Sequence, residues 1–167
     1  MPEKETLKRA GEDKREGKSP STQAGEFVRE EMHHIREGKH GARSTKQAIA
    51  IGLSKARRSG VKLQPPKKGK ASEKTRKSAE RAYKRGQSSH KRAASPKRSR
   101  ATSAALKREG KSAASRSALS RQARSTAQKR GSASRHRAAQ KAVRTKGKAG
   151  LRRAARKAAR TRASKRR

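Results

Sequence analysis

The stretch from Glu30 to His40 gathers residue types that could ligate a metal or pass a proton: Glu30, Glu31, His33, His34, Glu37 and His40. Their spacing argues against both. Adjacent histidines on a helix diverge by about 100°. No pair of histidines stands at i,i+4, and the chain has no cysteine to complete a site. The expectation is therefore surface histidines and a solvated glutamate face, with no metal, no cofactor and no catalytic group. Serines are abundant, but none stands beside a base and an orienting acid in a nucleophile's arrangement.

Phosphate chemistry is better supplied. In Ala42-Arg43-Ser44-Thr45-Lys46 a helix start places free backbone N–H groups beside two cations, Arg43 and Lys46. The alternative is an ordinary solvent-facing cap. Arg57 and Arg58 fall in the last turn of the same helix. Further along, Lys97 and Arg98 belong to Ser95-Pro96-Lys97-Arg98, read either as a plain turn or as a phosphate contact. Near the end, Arg152, Arg153, Arg156, Lys157 and Arg160 share an arc of about 140° in helical projection, with Ala154, Ala155, Ala158 and Ala159 opposite. These eleven cations are the expected phosphate contacts.

The elements that position them are helices. Ala24, Phe27, Val28, Met32 and Ile35 follow one face of a 3.6-residue period, from a start near Ser21 to a stop at Gly38. A second helix opens on a capping box, Ser44 with Gln47 three residues on. It continues through Ala48, Ile49, Leu53 and Ala56 to Gly60, with Val61 folding back. Gly38-Lys39-His40-Gly41 between them matches the GxxG of KH domains, but that fold also needs a sheet and no strand is legible. The expected fold is mainly α. It comprises a charged N-terminal arm at 1–18 (a frayed helix from about Glu3 to Glu16 with no face to bury), a helical hairpin domain at 19–64 with helices at about 21–37 and 45–58, and a low-complexity basic tail at 65–167. The tail is expected to be disordered or nascent-helical.

Composition explains that expectation. The 167 residues carry a formal charge of +40, with 27% hydrophobic and 1% aromatic residues. Low hydrophobicity with high net charge leaves little to offset the entropy of ordering. Residues 1–64 account for +6, and residues 65–167 for +34, with Pro65-Pro66 at the boundary. Such a core is thin, and a homodimer through the hairpin would thicken it. No apolar run resembles a signal peptide or a membrane span, so a soluble cytoplasmic protein and no membrane partner are expected. Scarce aromatics make base stacking a poor mode of recognition, which favours duplex DNA over single strands. RNA remains open as a partner.

Residues from about 1 to 66, and GEFVREEMHHIREGKHGARSTKQAIAIGLSKARRSGVKLQPP above all, resemble a family of small basic bacterial proteins catalogued as a domain of unknown function or as DNA-binding proteins. HGARSTKQAIAIGLSKARR is the specific part. The resemblance implies no catalytic residues. The tail is similar in composition to linker-histone and bacterial histone-like tails, and SPKR resembles the SPKK-type turns of linker histones. Charge and resemblance lead to one expectation: a non-enzymatic, largely sequence-nonspecific, nucleoid-associated DNA-binding protein. An RNA-binding or ribosome-assembly factor, and a protein-interaction hairpin with a DNA-tethering tail, are the alternatives.

Overall fold

Proline at a helix's first turn and glycine just past its end mark the limits of the central element. The computed structural model, which describes residues 2–89 and 95–164, has this helix, α2, over Pro20–Glu37. Gly38 takes φ 80°, a conformation costly for any side chain, and its amide closes the last turn on the His34 and Ile35 carbonyls. Before α2 comes α1, Lys4–Arg15; after it come α3, Thr45–Arg58, and α4, Glu73–Gln87. Then follow α5, Pro96–Lys107, a 3₁₀ turn at Ser112–Ala114, α6, Arg116–Lys129, and α7, Gly131–Ser164. There is no strand among the described residues.

This corrects the expected fold. The chain is helical nearly throughout, not a two-helix hairpin with a long disordered tail. Alanine, lysine, arginine and glutamine are strong helix formers, so the composition that starves a core of bulk still favours the helical backbone. Local signals complete the tail helices. Ser72 Oγ caps α4 on the Thr75 amide, and Glu73 pairs with Arg76 at 2.6 Å. Pro96 opens α5 at the turn where its missing N–H is no loss.

Small residues do the packing. Among the described residues, nine of the thirteen buried apolar ones are alanine, so the helices meet through close backbone approach and not through long side chains. Where α2 crosses α3, a methyl group on Gly52 would come within 2.7 Å of Val28 Cα and 3.0 Å of the Phe27 carbonyl oxygen. Where α3 meets α4, a methyl on Gly86 would overlap the Arg57 carbonyl. Two apolar clusters result. One joins Ala10 of α1, Ala24 and Phe27 of α2, Ala56 of α3 and Val61. The other joins Met32 and Ile35 to Ala42, Ala48, and Ala113 and Ala114 of the 3₁₀ turn. A segment from the basic C-terminal half thus completes the core of the N-terminal half. Thr45 Oγ1 donates to the Ala113 carbonyl at 2.7 Å, and Arg36 Nε donates to the Ala114 carbonyl at 2.9 Å.

The first eighteen residues are not a free arm. Helix α1 lies on α2 with Thr6 and Ala10 inside, while Leu7, its one large apolar residue, is exposed. Arg9 reaches Glu26 at 2.7 Å and the Glu3 amide donates to Glu30. A helix can bury a face of small residues, and a search for bulky ones misses that face.

The chain divides after Gln122 into two compact units. The second contains α7, whose 34 residues are two helical segments meeting at Gly147, with φ 60° and ψ 175°. Only glycine adopts that conformation readily, so it sets the break.

Acid should loosen α4 selectively. Hydrogen bonding from Arg76 holds the Glu73 carboxyl below its usual pKa, and hydrogen bonding from Lys84 does the same for Glu80. Carboxyls depressed in the folded state contribute stability above about pH 4.3, the unfolded value, and lose it as pH falls through their folded values. Both are solvent-exposed pairs, so the effect is small and salt-sensitive. Amide exchange should therefore rise in α4 below about pH 4 before it rises in α2. Simultaneous loss in both helices would contradict this ordering.

Candidate nucleic-acid interface

Helices α2 to α5 contribute side chains to an open groove of about 1000 Å³. Among the described residues six cations line it: Lys39 after α2, Lys55 and Arg58 on α3, Lys84 and Arg85 on α4, and Arg98 on α5. Between the cations stand hydroxyls, Ser88 and Ser95 flanking Ser99, Thr102 and Ser103 on α5. Ile51 and Leu106 supply apolar wall. Glu31 is the one acid among the lining residues. Cations interleaved with hydroxyl donors are the side-chain types that contact phosphate and sugar in nucleic-acid complexes.

Ion pairing tempers some of these charges. Lys84 lies 2.9 Å from Glu80, and Lys39 lies 3.1 Å from Glu37 and 3.2 Å from Glu3. Those contacts raise the Lys39 pKa, its hydrogen bond to the Glu37 carboxylate first, so the ammonium stays charged at neutral pH and above. Arg58 is exposed by surface area, yet desolvation and then the like charge of Arg85 hold its pKa below the ordinary arginine value. It remains a cation all the same. Arg58 and Arg85 repel one another across the groove wall, a repulsion that an anion between them would relieve.

The eleven expected phosphate contacts fall in different places. Arg58 and Arg98 line the groove. Lys97 is exposed beside Arg98 at the start of α5, so SPKR opens a helix and is not a turn in a disordered tail. Arg43 and Lys46 are exposed at the start of α3. The backbone there is less free than expected: the Ala42 amide donates to the Gly110 carbonyl and the Arg43 amide to Gln47 Oε1. Thr45 is buried under the 3₁₀ turn. Arg57 is turned inward. It is 7% exposed, its guanidinium donates to the carbonyls of Leu63 and Gln64, and burial lowers its pKa. Those bonds pin the chain leaving α3. Arg152, Arg153, Arg156, Lys157 and Arg160 are exposed on α7 in the second unit.

Four groove cations, Lys39, Lys55, Lys84 and Arg85, lay outside the expected set. The only available signal for Lys84 and Arg85 was Ser72-Glu73 as a helix start with Glu80-Lys84 as an i,i+4 pair, which together mark α4 as an ordered helix.

The groove ends on a cluster that overturns the solvated reading of Glu30, Glu31, His34 and His40. Glu30 and Glu31 are 3% and 0% exposed. Lys55 Nζ lies 2.6 Å from Glu31 Oε2 and 3.5 Å from Glu30 Oε1. His40 Nε2 lies 3.3 Å from Glu31 Oε1. His34 Nε2 meets Glu3 Oε1 at 2.8 Å, and its Nδ1 lies 4.0 Å from Glu30 Oε1. His33 alone of the three faces solvent. Residues 30, 31 and 34 fall on one side of α2, and α1, α3 and the α2–α3 link cover that side.

Residues 17–68, which span α2, the link and α3, match the model of a family of unknown function (DUF6496). No curated protein matches the chain, and no solved structure does. Among the described residues, no helix is long and apolar enough to cross a membrane.

Proposed function

We propose that this protein is a non-enzymatic, largely sequence-nonspecific nucleic-acid-binding protein, with duplex DNA as its principal partner and a histone-like role in the nucleoid. The groove carries the reading: six cations and five hydroxyls converge on a surface with a single lining acid. The rest of the charge supports it. Ten of the twelve acids are held in ion pairs with neighbouring cations, and the net +40 remains beyond them. Duplex DNA presents one negative charge per roughly 1.7 Å of axis, and each phosphate neutralised releases a counterion. Arginine adds bidentate phosphate contacts that lysine cannot make. Only Phe27 and Tyr83 are aromatic; Phe27 is buried, and Tyr83 Oη accepts from Gln64. Base stacking therefore contributes little, and backbone contact dominates.

Affinity for a duplex should fall with salt at a log–log slope of about −8 or steeper. Scrambling the duplex sequence should change it little. Gel shifts across a salt series measure both, with a structured RNA of equal length as competitor. A slope near −2 would remove charge as the driving term. Preference for the RNA would make the protein an RNA-binding factor.

A further inference from the structure

The cluster at the groove's end has the geometry of a metal site. One ligand atom from each of Glu31, His34 and His40 lies within 4.8 Å of the other two. The His40 Nε2 to Glu31 Oε1 distance is 3.3 Å. For zinc bound at about 2.0–2.1 Å by nitrogen and oxygen, the edge of the coordination tetrahedron is about 3.3–3.4 Å. Two of the three ligand atoms are therefore already spaced as a zinc ion would hold them.

The other ring nitrogens are tied as metal-bound histidines require. His40 Nδ1 lies 3.1 Å from the Gly41 carbonyl, and the tautomer that donates there would offer Nε2 to an ion beside Glu31. His34 Nε2 lies 2.8 Å from the Glu3 carboxylate, so Nδ1 is the nitrogen the proposed ion would take. A carbonyl or carboxylate behind a ligating imidazole orients the ring toward the metal.

Charge points the same way. Glu30 and Glu31 are two buried carboxylates sharing one ammonium, Lys55. Glu31 is fully buried, and neither of its oxygens makes a hydrogen bond of good alignment, despite the short approach of Lys55. A buried carboxylate so placed needs further positive charge. A divalent cation at Glu31 Oε1 would supply it, beside the Lys55 ammonium already 2.6 Å from Oε2.

We propose that Glu31, His34 and His40 bind a single divalent zinc ion, with Glu3 as the positioning residue behind His34 and water as the fourth ligand. Glu31 and His34 stand at i,i+3 on α2 and His40 belongs to the link, so the ion ties the end of α2 to the chain entering α3. The site is independent of the nucleic-acid reading.

Metal-free full-length protein should take up one Zn²⁺ per chain at micromolar concentration, counted by native mass spectrometry. With Co²⁺ in its place, the visible spectrum should show the intense bands of four-coordinate cobalt. Glu31→Gln and His40→Ala should each weaken uptake more than tenfold, and Glu3→Gln about tenfold to a hundredfold. Lys55→Met leaves two buried carboxylates uncompensated, so it should lower the melting temperature and zinc should restore much of the loss. Circular dichroism of each variant shows whether it remains helical, and the cobalt spectrum of the parent needs no variant. Absence of stoichiometric uptake, six-coordinate cobalt, or uptake unchanged in folded Glu31→Gln would overturn the proposal.

Discussion

Gly52→Val should unfold the α2–α3 pair, because Gly52 is buried where the two helices cross. Even a methyl at Gly52 meets Val28 Cα at 2.7 Å and the Phe27 carbonyl at 3.0 Å. Both are backbone, which cannot swing aside as a side-chain tip can. Valine adds two further carbons and its own restricted rotamer. Overpacking of this kind costs about 3 kcal/mol or more. That is a large part of the stability of a body whose core is mostly alanine. The melting temperature should drop by roughly 10–20 °C. Gly25→Ala is the matched control: it also lies within α2, with nothing within 4 Å of the added carbon. Relieved of glycine's entropy cost, it should gain up to about 1 kcal/mol. Opposite shifts in a calorimetric or circular-dichroism melt are the expected result. Equal shifts would mean that α2 and α3 do not approach as closely as Gly52 allows.

Removing two groove cations should cost far more nucleic-acid affinity than removing two from α7. Arg85→Ala with Arg98→Ala takes two arginines from the groove, one on α4 and one on α5. If each contacts a phosphate, the salt slope becomes shallower by about 2, and affinity near 0.1 M salt falls roughly a hundredfold. Arg152→Ala with Arg156→Ala removes the same charge from an exposed helix where neighbouring cations are interchangeable. Its effect should stay within a fewfold. Both pairs leave the buried alanines and the interface glycines untouched, and circular dichroism checks that each variant stays helical. Equal losses from the two pairs would mean binding by undirected charge, and the groove would have no part in it.

Much of this was legible in the chain itself. The ends of α2 and α3 could be read from Gly38, Ser44 and Gln47, because capping is local chemistry: a hydroxyl or amide answering a backbone group three or four residues away. The excess of cations, the lack of aromatics and the absence of cysteine also belong to the sequence alone. What the chain did not show is what covers what. Glu30 and Glu31 look like a solvated face until α1 and Lys55 close over them, and His34 and His40 look like surface histidines until the link folds back beside α2. Arg57 reads as a last-turn cation, but its guanidinium serves the carbonyls of Leu63 and Gln64. The basic half reads as featureless, yet it supplies Ala113 and Ala114 to the core and half of the groove. The reason is physical. Periodicity marks a buried face when that face is built from bulky apolar residues, whereas alanine and glycine pack by backbone proximity and leave the same pattern inside or outside. A buried charge leaves no local mark either, since its partner comes from another helix, and only the folded chain brings the two together.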